Sequence, residues 1–450
     1  MTAGQRHGRD RWWLAVTAAA VLTHLFVADA AMAQVSEQGR AQQRIEQRQA
    51  KAARLQPPTK GKAEAGVGWL ETSHFLPKLA RGFGGFHPVW GGFPSGAGQA
   101  LGVEYRAAGI GKKYVTRTTP NQFNVSIPVA ATFRGYVFAG VDTSVKRLFG
   151  TPFFINVHGG YQRNSQDDFY GIGNDSLDEN RTNYLYEVGR IGGVVGWTAP
   201  GWFSIGTGWA WLQPNVGSGT DPLFPSPEDA FDPPNVPGLL RQPNFVAYDT
   251  FVAVDYRNQG QPTSGGFYYG LYRQFFDQEF DTFDFRQFEV GAYQYLPLFK
   301  NERVIALRFS TTLSDVDAGQ QVPFYYMPVL GGTRELRGFE WARFRDRNSL
   351  LLGAEYRVQV HMMADIALWI DSGKVFADRH DFSFDDMHTT YGFGLRLKSR
   401  LATFLRLDFA FGDDGFGVVF ALDDPFTVPN PVLRSAWGDP AGGQNLLGRR

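Results

Sequence analysis

Polarity along this chain repeats in short stretches of period two. In Thr403 to Phe411, the residues Leu405, Leu407, Phe409 and Phe411 fall on one face while Arg406 and Asp408 point the other way, the side-chain alternation of a β-strand. Tyr391, Phe393, Leu395 and Leu397 share a face opposite Gly392, Gly394 and Arg396, and Ile366, Leu368 and Ile370 oppose Trp369, Asp371 and Gly373. Leu350 to Val358 reads the same way, with its large apolar residues mainly at even positions and Glu355 and Arg357 on the opposite face. Segments of this kind, about ten residues long, recur from a first clear one at Leu101 to Ala107. Clusters of Gly, Pro, Asn and Asp separate them, as turns separate strands.

Two architectures produce such alternation: a soluble sandwich or propeller with its apolar face inward, and an outer-membrane barrel with its apolar face outward and a polar lumen. Aromatic residues gather near the expected strand ends, as interface girdles do, and no repeat of propeller-blade length is visible. The expectation is an all-β fold, a transmembrane antiparallel β-barrel, because closure pairs every backbone group and leaves no edge in lipid. The span from Leu101 to Phe420 suits about 16 tilted strands, and a direct count of segments gives about 14 to 16. The longest break, Gly217 to Pro243, contains Pro222, Pro225, Pro227, Pro233, Pro234 and Pro237 and is expected to be an extracellular loop. Asp413 to Phe420 closes the alternating region with the order polar, x, Gly, two residues, hydrophobic, x, aromatic, which is similar to the terminal-strand signal of outer-membrane barrels.

The N-terminus explains how such a chain would reach that membrane. Arg6, Arg9 and Arg11 precede an apolar run from Trp12 to Val27 and then Ala31-Met32-Ala33, the order of a cleaved secretory signal peptide. As a membrane anchor the run is short, and Thr23 and His24 interrupt it. The expected organisation is therefore a signal peptide at 1–33, a polar periplasmic arm at 34–65, the barrel at 66–422, and a Pro- and Gly-rich tail at 423–450.

Composition adds mostly exclusions. Gly 53, Phe 39, Tyr 18 and Trp 11 suit strands and girdles. Lys+Arg 44 balance Asp+Glu 44, so no basic field points to nucleic acid. With no cysteine, disulfides, thiol nucleophiles and thiolate metal sites are excluded. Gly92-Phe93-Pro94-Ser95-Gly96 places its serine one position late for a hydrolase elbow, and the eight histidines contain no His-Glu-x-x-His. His158, His361 and His388 read as girdle or lumen residues, and Asp385-Asp386 and Asp413-Asp414 as turn acids. No catalytic, cofactor-binding or metal-binding residue is assigned, and no cofactor is expected.

One further pair of stretches carries the candidate site: Gly331-Gly-Thr-Arg-Glu-Leu-Arg-Gly-Phe339 and Asp371-Ser-Gly-Lys-Val-Phe376. Taken in order with Gly91 to Gly96, Asp168 to Ser176 and Arg181 to Tyr184, they resemble the barrel domain of the BamA/TamA outer-membrane assembly-factor superfamily, also called the bacterial surface antigen family. The resemblance covers approximately Gly91 to Phe420. It implies an inward-folded extracellular loop with an Arg-Gly-aromatic tip, whose arginine meets carboxylates on the inner wall. The matching residues are Arg337, Gly338 and Phe339 at the tip, with Glu355, Asp371 and the neighbouring Gly373 on the wall. A guanidinium suits that task because its rigid fork of donors can hold carboxylates on two neighbouring strands. Gly338 would let the turn pass close to the wall. The plainer alternative is that Arg337 is a solvated loop residue.

The resemblance also implies a monomeric barrel in outer-membrane lipid that assists insertion or translocation of proteins. Its partners would be unfolded outer-membrane proteins or a periplasmic accessory protein. The arm at 34–65 is too short for a POTRA module, the domain that receives substrates in most relatives. A gated or passive channel that kept the barrel is therefore carried as the alternative, and a barrel-embedded hydrolase as a third reading.

Overall fold

The computed structural model describes residues 83–428, apart from 91–92, 94–95, 111–118, 200, 259, 300–301 and 399–402. The expected signal peptide, arm and most of the C-terminal tail lie outside the described residues, as does most of the Gly91 to Gly96 stretch.

Sixteen strands form one antiparallel sheet in which sequence neighbours are spatial neighbours. They are β1 (Phe86–Trp90), β2 (Ala100–Ala108), β3 (Gln122–Thr132), β4 (Val137–Lys146), β5 (Phe153–Phe169), β6 (Thr182–Thr198), β7 (Phe203–Ser218) and β8 (Phe245–Asp255). There follow β9 (Gly265–Asp277), β10 (Phe285–Leu298), β11 (Arg303–Asp315), β14 (Asn348–His361), β15 (Ala364–Phe376), β16 (His388–Lys398), β17 (Thr403–Gly412) and β18 (Gly415–Ala421). Two short strands, β12 (Val329–Leu330) and β13 (Phe344–Arg345), form a small separate ribbon inside the β11–β14 connection. The expected all-β architecture and strand number are both present. Ahead of the first expected segment at Leu101, Phe86–Trp90 forms a further strand, β1, which pairs with β2.

The faces of the strands are inverted relative to a soluble sheet. Leu101, Val141, Val157, Ile191, Trp209, Tyr248, Leu368 and Phe393 are exposed, whereas Glu104, Asp142, Gln162, Arg190, Asp249, Arg273, Glu289 and Arg396 are buried. Apolar side chains point out and polar ones in, as lipid outside and a polar lumen inside require. Among the described residues no helix is long and apolar enough to cross a membrane. Sequential antiparallel order also sorts the connections by end. The connections 170–181, 219–244, 316–347 and 377–387 lie at one end, while 147–152 and the two residues 362–363 lie at the other.

The longest connection is 316–347, not the proline-rich 219–244. Its Phe324-Tyr325-Tyr326 looks strand-like in sequence but forms one turn of 3-10 helix. These three rings are buried among Phe169, Tyr184, Phe245, Phe275 and Phe285, with Phe275 and Phe285 stacked at 4.2 Å and Tyr326 5.4 Å from Phe245. Val236 and Leu239 of the proline-rich connection join the same cluster. An aromatic layer from several connections thus fills the lumen at that end. Beneath it lies an ionic layer built around Arg337.

The outward face gives a direct test. Leu368→Arg places a charge on exposed mid-strand β15. It is expected to cost about 2–4 kcal/mol of folding stability in a lipid bilayer near its midplane, measured by urea titration in vesicles. A soluble sheet would tolerate the same change at no cost.

Candidate functional site

The loop tip is drawn inward by its own turn and by apolar packing. Gly332 N donates to Phe339 O at 3.0 Å and Phe339 N to Leu336 O at 3.2 Å, which closes 332–339 into a compact tongue. Leu336 and Phe339 are buried with Leu330, Phe344, Leu351 and Val375. At Gly338 the backbone has φ +109, and a Cβ there would sit 2.9 Å from the Ala410 Cβ of β17. Glycine is therefore required both for the conformation and for the close approach.

This packing delivers Arg337, fully buried, to the inner wall. Its Nε donates to Asp371 Oδ2 at 2.6 Å, Nη2 to Asp371 Oδ1 at 3.1 Å, and Nη1 to Glu355 Oε2 at 2.7 Å. The guanidinium carbon lies 4.0 Å from the centre of the Trp369 ring, a cation–π contact in a desolvated setting. Pairing of β14 with β15 places these groups: Glu355 lies opposite Trp369, and Gly353 opposite Asp371. A Cβ at Gly353 would come within 2.9 Å of Asp371 Oδ1 and 3.2 Å of the Arg308 guanidinium, so that glycine makes room for the pair. Gly373 serves the loop differently. A Cβ there would meet Leu330 Cδ1 at 3.0 Å, where the β12–β13 ribbon lies against the wall.

The sequence-derived residues Arg337, Gly338, Phe339, Glu355, Asp371 and Gly373 thus occupy one neighbourhood, but the ion network is larger than they suggest. Glu355 also accepts from Arg357 Nε at 2.8 Å and from Arg396 Nη2 at 2.9 Å. Asp371 accepts from Arg308 Nη2 at 3.2 Å. Asp408 is paired with both Arg396 and Arg406 and lies 4.0 Å from Arg337. Arg396, Arg406 and Asp408 occupy the inward positions given by the β16 and β17 alternation, so their parity was legible. Their convergence on Arg337 was not, because it depends on how the sheet curves.

The other limb of the loop is held by the segment 171–176. Gly173 N donates to Arg345 O at 2.8 Å, Ser176 Oγ to Arg343 O at 3.0 Å, and Arg343 Nη1 to Ser176 O at 2.6 Å. Asn174 Oδ1 accepts from Val375 N at 3.0 Å. His388 stacks on Phe344 at 4.0 Å, and its Nε2 lies 2.9 Å from Asn174 O. Its Nδ1 is 3.6 Å from Asp413 in the β17–β18 turn. His158 is buried on β5 beside Asn156, and His361 ends β14.

Next to the tip, burial pushes the Glu335 carboxyl up to about 7, against the opposing pull of Arg308 and Arg334. Its Oε2 is buried and has no hydrogen-bond partner among the described residues.

An apolar outer surface, a polar lumen and a loop buried within it define an outer-membrane β-barrel with an internal tongue. Residues 241–420 match the Omp85 superfamily domain. Among solved structures, BamA from Haemophilus ducreyi lacking POTRA domains 1-3 matches with a TM-score of 0.53 at 13% identity, over 74% of this chain and 68% of that one. CdiB from Escherichia coli matches at 0.46 and 11%, over 74% and 61% of the two chains. CdiB from Acinetobacter baumannii matches at 0.41 and 9%, over 73% and 57%. No curated protein matches the sequence. The similarity to the Omp85 superfamily domain thus runs from the proline-rich connection through β18.

Two outcomes test the site. Arg337→Ala leaves Asp371 and Glu355 with a lost partner in a dry setting, a change expected to cost about 3–5 kcal/mol. The barrel should still shift on a gel when heated, while limited proteolysis within 331–343 becomes faster; an unchanged cleavage rate would contradict the assignment. The second outcome concerns pH. Since the folded state holds the Glu335 proton more tightly, its stabilisation is full below the ordinary glutamate pKa of about 4.3 and is lost as pH rises through about 7. Loop protection should therefore weaken over that window, and Glu335→Gln should flatten the dependence.

Proposed function

We propose that this chain assists the insertion or translocation of proteins at the outer membrane, reaching it through a signal peptide cleaved after Ala33. The observation that carries the reading is the Arg337 tongue, buried against Glu355 and Asp371 inside an Omp85-type barrel. A barrel built only to conduct solutes has no need of a fully buried Arg–carboxylate lock. A barrel that accommodates a passing or folding chain gains from an internal element with two stable positions, since packed elements switch between discrete states. Protein substrates and a periplasmic accessory protein are the expected partners, and the barrel acts as a monomer without cofactor or catalytic group.

A gated channel is the second reading, and the arginine-rich inner wall favours it. Charged rings of this kind set ion selectivity in pores, and the tongue would then be the plug.

The two readings separate in one experiment. Purified protein in liposomes is challenged with a urea-unfolded barrel substrate, beside Arg337→Ala and empty vesicles, and single-channel current is recorded from the same preparations. Faster substrate folding with the wild type than with either control supports assisted insertion. Equal rates in all three, together with current that rises in the variant, would replace that reading with the channel.

A further inference from the structure

The chain continues past its last strand, and the segment after β18 turns into the lumen. Asp423 accepts from Arg334 Nε at 2.6 Å and from Arg406 Nη2 at 3.0 Å. Asp424 accepts from Arg357 Nη1 and Nη2 at 2.9 and 2.8 Å, a two-pronged pair of the kind a guanidinium makes with a carboxylate. Phe426 is buried, with the Arg308 and Arg357 guanidiniums 5.3 and 5.4 Å from its ring and its carbonyl accepting from Tyr295 Oη at 3.1 Å. The segment shapes itself for this fit: Phe426 N donates to Asp424 Oδ1 at 2.8 Å and Thr427 N to Asp424 O at 2.9 Å.

Charge balance explains why the wall holds this segment. The wall and tongue set six guanidiniums, Arg308, Arg334, Arg337, Arg357, Arg396 and Arg406, against the carboxyls of Glu335, Glu355, Asp371 and Asp408. Glu335 is only partly ionised near neutral pH, so without Asp423 and Asp424 the guanidiniums outnumber the anions, and these two carboxylates make up most of the difference. Burial raises the Asp423 carboxyl, but Arg334 and Arg406 outweigh it and hold the group below its usual range. Through Arg334, three residues from the tip, the segment also grips the tongue itself.

We propose that the lumenal wall around Arg308, Arg334, Arg357 and Arg406 is a binding site for an acidic-aromatic peptide of the form Asp-Asp-x-Phe, filled here by residues 423–426 of the same chain. Its occupant acts as a removable latch on the tongue. The site stands on its own contacts, so it does not depend on whether the barrel inserts proteins or conducts ions.

The test uses the full chain in detergent micelles and a fluorescein-labelled peptide of residues 421–428, followed by anisotropy. In the wild type the linked segment outcompetes the peptide. In the triple variant D423N/D424N/F426A the site is vacant, and affinity should rise at least about tenfold, since occupancy in cis lowers apparent affinity by the vacant fraction. Adding Arg357→Gln should weaken that binding, and a scrambled peptide of equal charge should not bind as well. No gain in affinity in a variant that still shifts on heating, or equal binding of the scrambled peptide, would overturn the proposal. A second measurement keeps the native site intact. The chain lacks cysteine, so Val428→Cys can be labelled alone with a thiol reagent, and excess peptide should accelerate its labelling. A rate indifferent to peptide would also overturn the latch.

Discussion

The burial of one positive charge organises the inside of this barrel. Taking a guanidinium out of water costs several kcal/mol unless its donors are satisfied and its charge is opposed. Arg337 meets both conditions through two donors to Asp371, one to Glu355 and the face of Trp369. Those carboxylates are themselves buried, and each in turn needs further cations: Arg357 and Arg396 at Glu355, Arg308 at Asp371. The network grows outward until it reaches Asp423 and Asp424 beyond the last strand. One loop residue is thereby tied to five strands and to the segment after them.

Geometry and charge are inseparable here. Gly353 leaves room for Asp371 beside Arg308, and Gly338 lets the tip lie on Ala410. A side chain at either position would displace the ions or the loop. The aromatic layer at the mouth, where Tyr326 meets Phe245, Phe275 and Phe285, holds the same connection at its start, and segment 171–176 holds it at its end. The tongue is fastened at three places, of which the ionic one, with Glu335 beside it, answers to pH.

Much of the wall was legible from parity. The alternation in β14 to β17 places Glu355, Asp371, Arg396, Arg406 and Asp408 inward by counting in twos, because strand periodicity is local. The number of strands followed from length, since tilted strands of fixed span consume chain at a steady rate. Less local features were hidden. The 316–347 connection lacks the proline cluster that marks 219–244, and Phe324-Tyr325-Tyr326 within it packs as a helical turn in the aromatic cluster around it. The convergence of Arg308 and Arg406 on one site depends on sheet curvature, which no pairwise spacing reveals. The inward turn of Asp423 to Phe426 was equally invisible, since a Pro-containing stretch after a terminal strand carries no signal of what it will touch.

Arg337 and Asp371 stabilise the fold through each other. A double-mutant cycle measures this most directly: urea unfolding in vesicles of the wild type, Arg337→Ala, Asp371→Ala and the double variant. The double variant is expected to be more stable than the sum of the single losses implies, with a coupling of about 1–3 kcal/mol. Losses that add to within about 0.5 kcal/mol would show that the two residues act separately, and the lock would not exist.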